Sequence, residues 1–213
     1  MKKKLNIIYE DKHLLVVSKP AKLLCVSTPK EKERTLYHEV YTYLKQKNKQ
    51  NKVFIVHRLD KDTSGIVLFA KDIKTKTHLQ NNWNNIAIER KYLARVEGIT
   101  PDKGTIQNHL QENKTHIVYV TNNQNAPLAI TKYQKISSVK NTTLLDIEIK
   151  TGKKNQIRVA LSSIGHPIIG DNKYGSTIKS QRLLLHAYKL TIINPYTHEK
   201  MIFTAPPPPE LAP

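Results

Sequence analysis

The sequence predicts an α/β chain of the α+β kind, with a large mixed, mainly antiparallel sheet and a few flanking helices. Three observations lead there. Short runs rich in β-branched residues, such as residues 53–56 and 66–70, read as buried strands. Beyond Arg90 the chain turns mostly to segments that alternate or run apolar in strand fashion. Apolar residues at helical spacing are confined to a few short stretches.

Taken in order, residues 5–8 and 14–17 read as two strands around a polar turn at 10–12. Thr35 is placed to cap a helix that carries Leu36, Val40, Tyr43 and Leu44 on one face. That helix ends in the cationic run KQKNKQNK, which suits a solvated helix end as well as it suits a phosphate contact. The strands at 53–56 and 66–70 flank a charged loop, where Asp62, Thr63, Ser64 and Gly65 spell a tight turn. A weaker helix covers 73–83. Strands follow at 92–96, 116–120, 128–136 and 143–150. Ile157, Leu161 and Ile164 mark a third helix, stopped by Gly165 in the left-handed conformation. Residues 183–193 form a long strand, and Asn194 and Pro195 turn the chain into a last one at 201–204. The tail PPPPELAP, within 205–213, can extend neither sheet nor helix and is expected at the surface. Neither a repeat nor a domain boundary is visible, so 1–213 reads as one domain, long enough to bury a core.

Composition narrows the partners. Thirty-five Lys plus Arg stand against 17 Asp plus Glu, a formal net charge of +18, which favours a polyanion through phosphate neutralisation and counterion release. Charge alone does not separate RNA from DNA or from an anionic membrane, and a basic protein with no such partner has the same composition. Membrane association is not expected, since no apolar run approaches the roughly 20 residues that span a bilayer. Cys25 is the only cysteine, which rules out an internal disulfide and a Cys-based zinc site. The chain reads as cytoplasmic. His109, His116, His166, His186 and His198 form no metal-binding pattern, and no glycine loop for a nucleotide phosphate is present, so neither metal nor cofactor is expected.

The stretch HRLDKDTSGIVLFAK, from His57 to Lys71, concentrates charged side chains on a loop held by two strands. It closely resembles the signature of the RluA family of pseudouridine synthases. Four further segments resemble the family in its order: NIIYEDKHLLVVSKPAKLL, RKYLARVEG, TGKKNQIRVALSSIGHPIIGDNKYG and LLLHAYKLTIINPYTHEKMIFTAPPP. Together they span nearly the whole chain. The resemblance implies the family's catalytic fold and an RNA substrate, ribosomal or transfer. It leaves no room in front for the separate small RNA-binding domain of many relatives. A monomer that reads a local stem-loop through shape and extruded bases is expected.

Pseudouridine formation breaks the bond from ribose C1′ to uracil N1, rotates the base, rejoins it through C5 and removes the C5 proton. By the resemblance Asp60 is the essential carboxylate, attacking C1′ or abstracting the C2′ proton; the sequence does not choose. Taken alone, Asp60 reads as a turn cap. Arg158 matches the arginine that pairs with the catalytic aspartate, where a guanidinium lowers a carboxylate pKa by about one to three units and binds it with two prongs. Otherwise it is an ordinary cation on a helix face. Tyr92 matches the tyrosine of the uracil pocket and Leu185 an apolar wall against the base, although either would also serve as core. Arg58 is expected to fill the gap left by the extruded uridine, or else to meet phosphate. His57 is a ligand contact or a satisfied structural histidine. Lys153 and Lys154 stand where they can meet phosphate with little sequence preference.

Two departures from the family pattern bear on these roles. Lys22 occupies the glycine position of KPAGLL, and GKKNQIR replaces GRTHQIR, so Lys153 and Asn155 stand for arginine and histidine. The first puts the turn in question, the second the contacts near RNA. The main rival is a non-catalytic RNA-binding or ribosome-assembly protein that kept the fold. Asp60, Tyr92 and Arg158 together argue against it, because a pure binder has no need for a carboxylate facing phosphate. A metal-dependent hydrolase using Asp60 and Asp62 fits poorly with such cationic surroundings.

Overall fold

A computed structural model describes residues 5–29 and 31–212. The fold is α/β, with a large, mainly antiparallel sheet and, among the described residues, four helices. The chain divides into two compact units, Met1–Ile88 with Ala187–Pro206, and Glu89–His186 with Pro207–Pro213.

The first unit begins with β1 (Ile7–Glu10) and β2 (Leu14–Lys19), antiparallel around a turn in which the Asp11 carboxylate accepts the N–H groups of His13 and Leu14. Next comes α1 (Leu36–Lys47). Thr35 caps it by accepting the His38 N–H, and Leu36, Val40 and Leu44 are buried, as their spacing predicts. β3 (Phe54–Ile55) shrinks to two residues beside β4 (Ser64–Ala70), whose other edge carries β2. Leu14, Val16, Ile66 and Leu68 enter one core with Leu79, Ile192 and Phe203. Leu15, Val17, Val67 and Phe69, on the opposite face, are also fully buried. Burial on both faces is why these strands read as unbroken apolar runs. The helix expected over 73–83 is two: α2 (Ile73–Asn81), capped by Asp72, and the single turn α3 (Trp83–Ile86). Asn82 interrupts them because its backbone leaves the helical region.

The second unit carries β5 (Glu89–Glu97), β6 (Lys103–Glu112), β7 (Val118–Thr121), β8 (Leu128–Val139) and β9 (Thr142–Ile149). They pair antiparallel in the order β5-β9-β8-β6-β7. β6 has no counterpart among the expected strands. Of its inward positions only Ile106 and Leu110 are large and apolar, and Gly104 is glycine because a Cβ there would fall 2.5 Å from the Tyr133 ring. β7 starts two residues later than expected, since His116 takes a left-handed φ of 61° in the preceding turn. β8 outruns its expected end through a bulge between Lys135 and Ser137, which leaves Ile136 exposed. α4 (Gln156–Ser163) stops before Gly165, at φ +80°.

β10 (Leu185–Ile193) and β11 (Lys200–Thr204) form an antiparallel hairpin. The proline-rich end is exposed at Pro206, Pro209, Glu210 and Ala212, but a 3-10 turn at Pro209–Leu211 folds Leu211 into full burial. That one side chain departs from the surface tail expected here, since a leucine gains roughly 1.5–3 kcal/mol on leaving water.

Candidate active site

Asp60, Arg58 and His57 lie in the first unit, on the loop between β3 and β4. The peptide groups on both sides of Asp60 are held by buried side chains. On one side the Cys25 thiol donates to the Leu59 carbonyl and accepts the Leu59 N–H, each at 3.3 Å. Burial pushes that thiol pKa up, so it stays a protonated hydrogen-bonding group. On the other side Lys19 Nζ, only 1% exposed, donates to the Lys61 carbonyl at 2.9 Å and to those of Pro20 and Leu23. The Thr63 N–H closes the turn onto the Asp60 carbonyl at 3.2 Å. Asp60 itself is half-buried and Arg58 is exposed. The backbone on both sides of Asp60 is thus held in one conformation by contacts from distant residues.

His57 is tied to two neighbours. Its Nε2 accepts the Leu68 N–H at 3.1 Å, and its ring stacks on Trp83 with centroids 4.9 Å apart. The ring thereby spans the loop and α3 as a brace. Lys22 also resolves. It adopts φ 65°, the left-handed conformation a glycine would take, so the turn is kept with a lysine in it.

Tyr92, Leu185, Arg158, Lys153 and Lys154 belong to the second unit. Tyr92 is half-buried on β5, and Leu185, buried, opens β10. Arg158 projects from α4 into a cradle. Its Nε and Nη2 donate to the two carboxylate oxygens of Asp171, both at 2.7 Å, and Nη1 to Asn155 Oδ1 at 3.3 Å. The guanidinium sits 4.9 Å from the centre of the Tyr174 ring, whose hydroxyl accepts from Asn155 Nδ2. The Nε–Nη2 edge of Arg158 is thus held in a two-pronged bond by Asp171, which is 2% exposed. Asn155, standing for the family histidine, joins the arginine to the tyrosine and holds a left-handed φ of 53° that asparagine tolerates.

Glu97 fixes the segment after Tyr174. It accepts the N–H groups of Thr177 and Ile178 and the hydroxyls of Ser176 and Thr177. Burial alone would push its pKa up, but these donors hold it below the ordinary value. Sequence reading passed over Lys19, Cys25, Asp171, Tyr174 and Glu97. Lys19 left a trace, a cation closing the apolar strand LLVVSK before a proline. Asp171 left none, because thirteen residues and a turn separate it from Arg158. Among the described residues no three His, Cys, Asp or Glu side chains cluster so as to hold a metal ion.

Residues 13–163 match the sequence profile of the RNA pseudouridylate synthase family. The chain belongs to that family. It is 32% identical, over 98% of its own length, to the ribosomal large subunit pseudouridine synthase D of Nitrosomonas europaea, and spans 63% of that relative. It is 35% identical over 98% of its length to the uncharacterized RNA pseudouridine synthase YlyB of Bacillus subtilis, spanning 71% of it. Among solved structures, human RNA pseudouridylate synthase domain containing 4 superposes with a TM-score of 0.79 at 23% identity, over 97% of this chain and 90% of that one. Human RNA pseudouridylate synthase domain containing 1 gives 0.78 at 24%, over 98% and 86%. These two likenesses establish that the synthase fold is shared.

Proposed function

We propose that this family member isomerises specific uridines in structured RNA to pseudouridine, with Asp60 acting on the ribose of an extruded uridine. The observation that carries the proposal is the double clamp on the Asp60 loop, Cys25 on Leu59 and Lys19 on Lys61. Burying a lysine against three carbonyls is a costly way to hold a mere turn, and it makes sense where a carboxylate must be presented in one position.

The remaining roles follow the family resemblance. Tyr92 faces the uracil and stays close to the proton leaving C5, with Leu185 as an apolar wall. Arg158, oriented by Asp171 and Tyr174, supports the ionised catalytic carboxylate. Arg58, exposed on the same loop as Asp60, occupies the space left by the uridine and recovers part of the few kcal/mol that extrusion costs. His57 is assigned to the scaffold. The substrate is a ribosomal or transfer RNA stem-loop read by a monomer, a reading supported by the net charge of +18 and by the named relative.

The test is tritium release from RNA labelled at uridine C5, prepared from cells lacking this protein. Release by the wild type and none by Asp60→Ala is the expected result, and mapping the product then names the uridine. Binding of RNA without release, across ribosomal and transfer RNA pools, would replace the synthase by a non-catalytic RNA-binding protein.

A further inference from the structure

Arg90, at the start of β5, is an anomaly. It is 8% exposed, yet among the described residues no carboxylate lies within ion-pair distance of it. Nη2 donates to the Lys150 carbonyl at 2.8 Å, while the buried Nε has no partner at all. Burial pulls its pKa down, and the opposing pull of Tyr92 and Glu148 offsets this only in part. A buried charge left in this way is expensive, and Nη1, the remaining guanidinium nitrogen, has no hydrogen-bond partner among the described residues.

The loop that joins β9 to α4 lies beside this guanidinium. Arg90 Nη1 lies 3.1 Å from the point a Cβ would occupy on the exposed Gly152. Among the described residues, the backbone N–H groups of Gly152, Lys154 and Asn155 donate to nothing in the protein. They precede the N-terminus of α4, where the helix dipole favours an anion. Lys153 and Lys154 are exposed on the same loop. Lys154 is tied to Glu112, and Lys153 makes no carboxylate contact among the described residues.

We propose that Arg90, Gly152, Lys153 and Lys154 form a binding site for one phosphodiester of the RNA. The missing side chain at Gly152 gives an anionic oxygen access to Nη1 and to the loop amides, and the lysines complete its neutralisation. Arg90 and Tyr92 point to the same face of β5, two residues and roughly 7 Å apart along the strand. A phosphate held here therefore belongs to the backbone next to the uridine presented to Tyr92. The inference rests on the proposed RNA substrate, and it converts an expected role for Lys153 and Lys154 into a site with a defined buried donor.

The experiment measures binding of a ribosomal or transfer RNA stem-loop to the full chain at several KCl concentrations, for wild type, Arg90→Met, Lys153→Gln and Gly152→Ala. Arg90→Met and Lys153→Gln should each reduce the slope of log Kd against log salt by about one, equally for RNAs of different sequence. At fixed salt Arg90→Met should weaken binding about tenfold, as expected for a lost charge-assisted bond. Gly152→Ala keeps every charge and should weaken binding by crowding Nη1. An unchanged slope in a folded Arg90→Met protein overturns the site. Should that variant not fold, unchanged binding by both Gly152→Ala and Lys153→Gln overturns it. Wild-type protein that binds RNA with these effects but releases no tritium defeats the catalytic reading and leaves the phosphate site standing.

Discussion

Asp171→Ala is the most informative substitution outside the Asp60 loop. It removes both acceptors from the Nε–Nη2 edge of Arg158, a side chain that is only 9% exposed. Each charge-assisted hydrogen bond is worth about 1.5–3 kcal/mol, and breaking a buried ion pair from one side costs about 3–5 kcal/mol. Against a total stability of roughly 5–15 kcal/mol, a loss near 4 is large. Urea unfolding followed by far-UV circular dichroism should show a markedly lower midpoint with an unchanged m-value. The decisive arm is a double-mutant cycle. Arg158→Met in the Asp171→Ala background removes the charge that Asp171 had compensated, so the pair of changes should cost at least about 2 kcal/mol less than the sum of the singles. If the two costs instead add to within about 0.5 kcal/mol, Asp171 does not hold the arginine and the cradle described here is wrong. Tritium release in Asp171→Asn provides the functional arm: the loss should appear mainly in kcat, because the arginine is displaced rather than the RNA.

Three further predictions concern the scaffold. Lys22 spends a left-handed φ of 65° on a side chain, so Lys22→Gly should raise stability by about 1 kcal/mol, read as a higher melting temperature. Gly65→Ala should do the reverse by about 3 kcal/mol or more, because φ is +116° and the new Cβ would lie 2.1 Å from the Ala187 carbonyl oxygen; soluble, cooperative unfolding at the wild-type midpoint would contradict it. Burial on its own pushes the Glu10 carboxyl up, but hydrogen bonds from Lys47, Tyr43 and Lys71 hold it at about 2, against an ordinary 4.5. Burial likewise opposes ionisation of Asp72, while Thr75 and His13 hold it at about 2 against 3.8. Folded pKa values below the unfolded ones mean that this stabilisation is present above about pH 4.5 and is lost as pH falls toward 2. The unfolding free energy of the wild type should therefore drop across that window, and Glu10→Gln should flatten the drop.

Much of the chain could be read before any coordinates. Thr35 capping α1, the buried pair β2 and β4, and the end of α4 at Gly165 all follow from local rules, since caps, periodicity and left-handed stops depend on neighbours in sequence. The HRLD loop and the motif order likewise pointed to an RNA pseudouridine synthase, and the family match agrees. β6 escaped because its pattern is nearly polar and its packing depends on a tyrosine from another strand. The contacts of His57 with Leu68 and Trp83 escaped as well, because both partners come from outside its loop.

Sequence by itself thus determined most of the strands, the caps and the family, because each is written in contiguous residues. Only the tertiary structure decided what surrounds them. Lys19 reaches Lys61 across 42 positions, Cys25 reaches Leu59 across 34, and Asp171 meets Arg158 across a turn. Arg90 lies under Gly152, which no spacing rule connects to it. A buried charge is defined by what it lacks or finds in three dimensions, and that information enters only when distant segments pack.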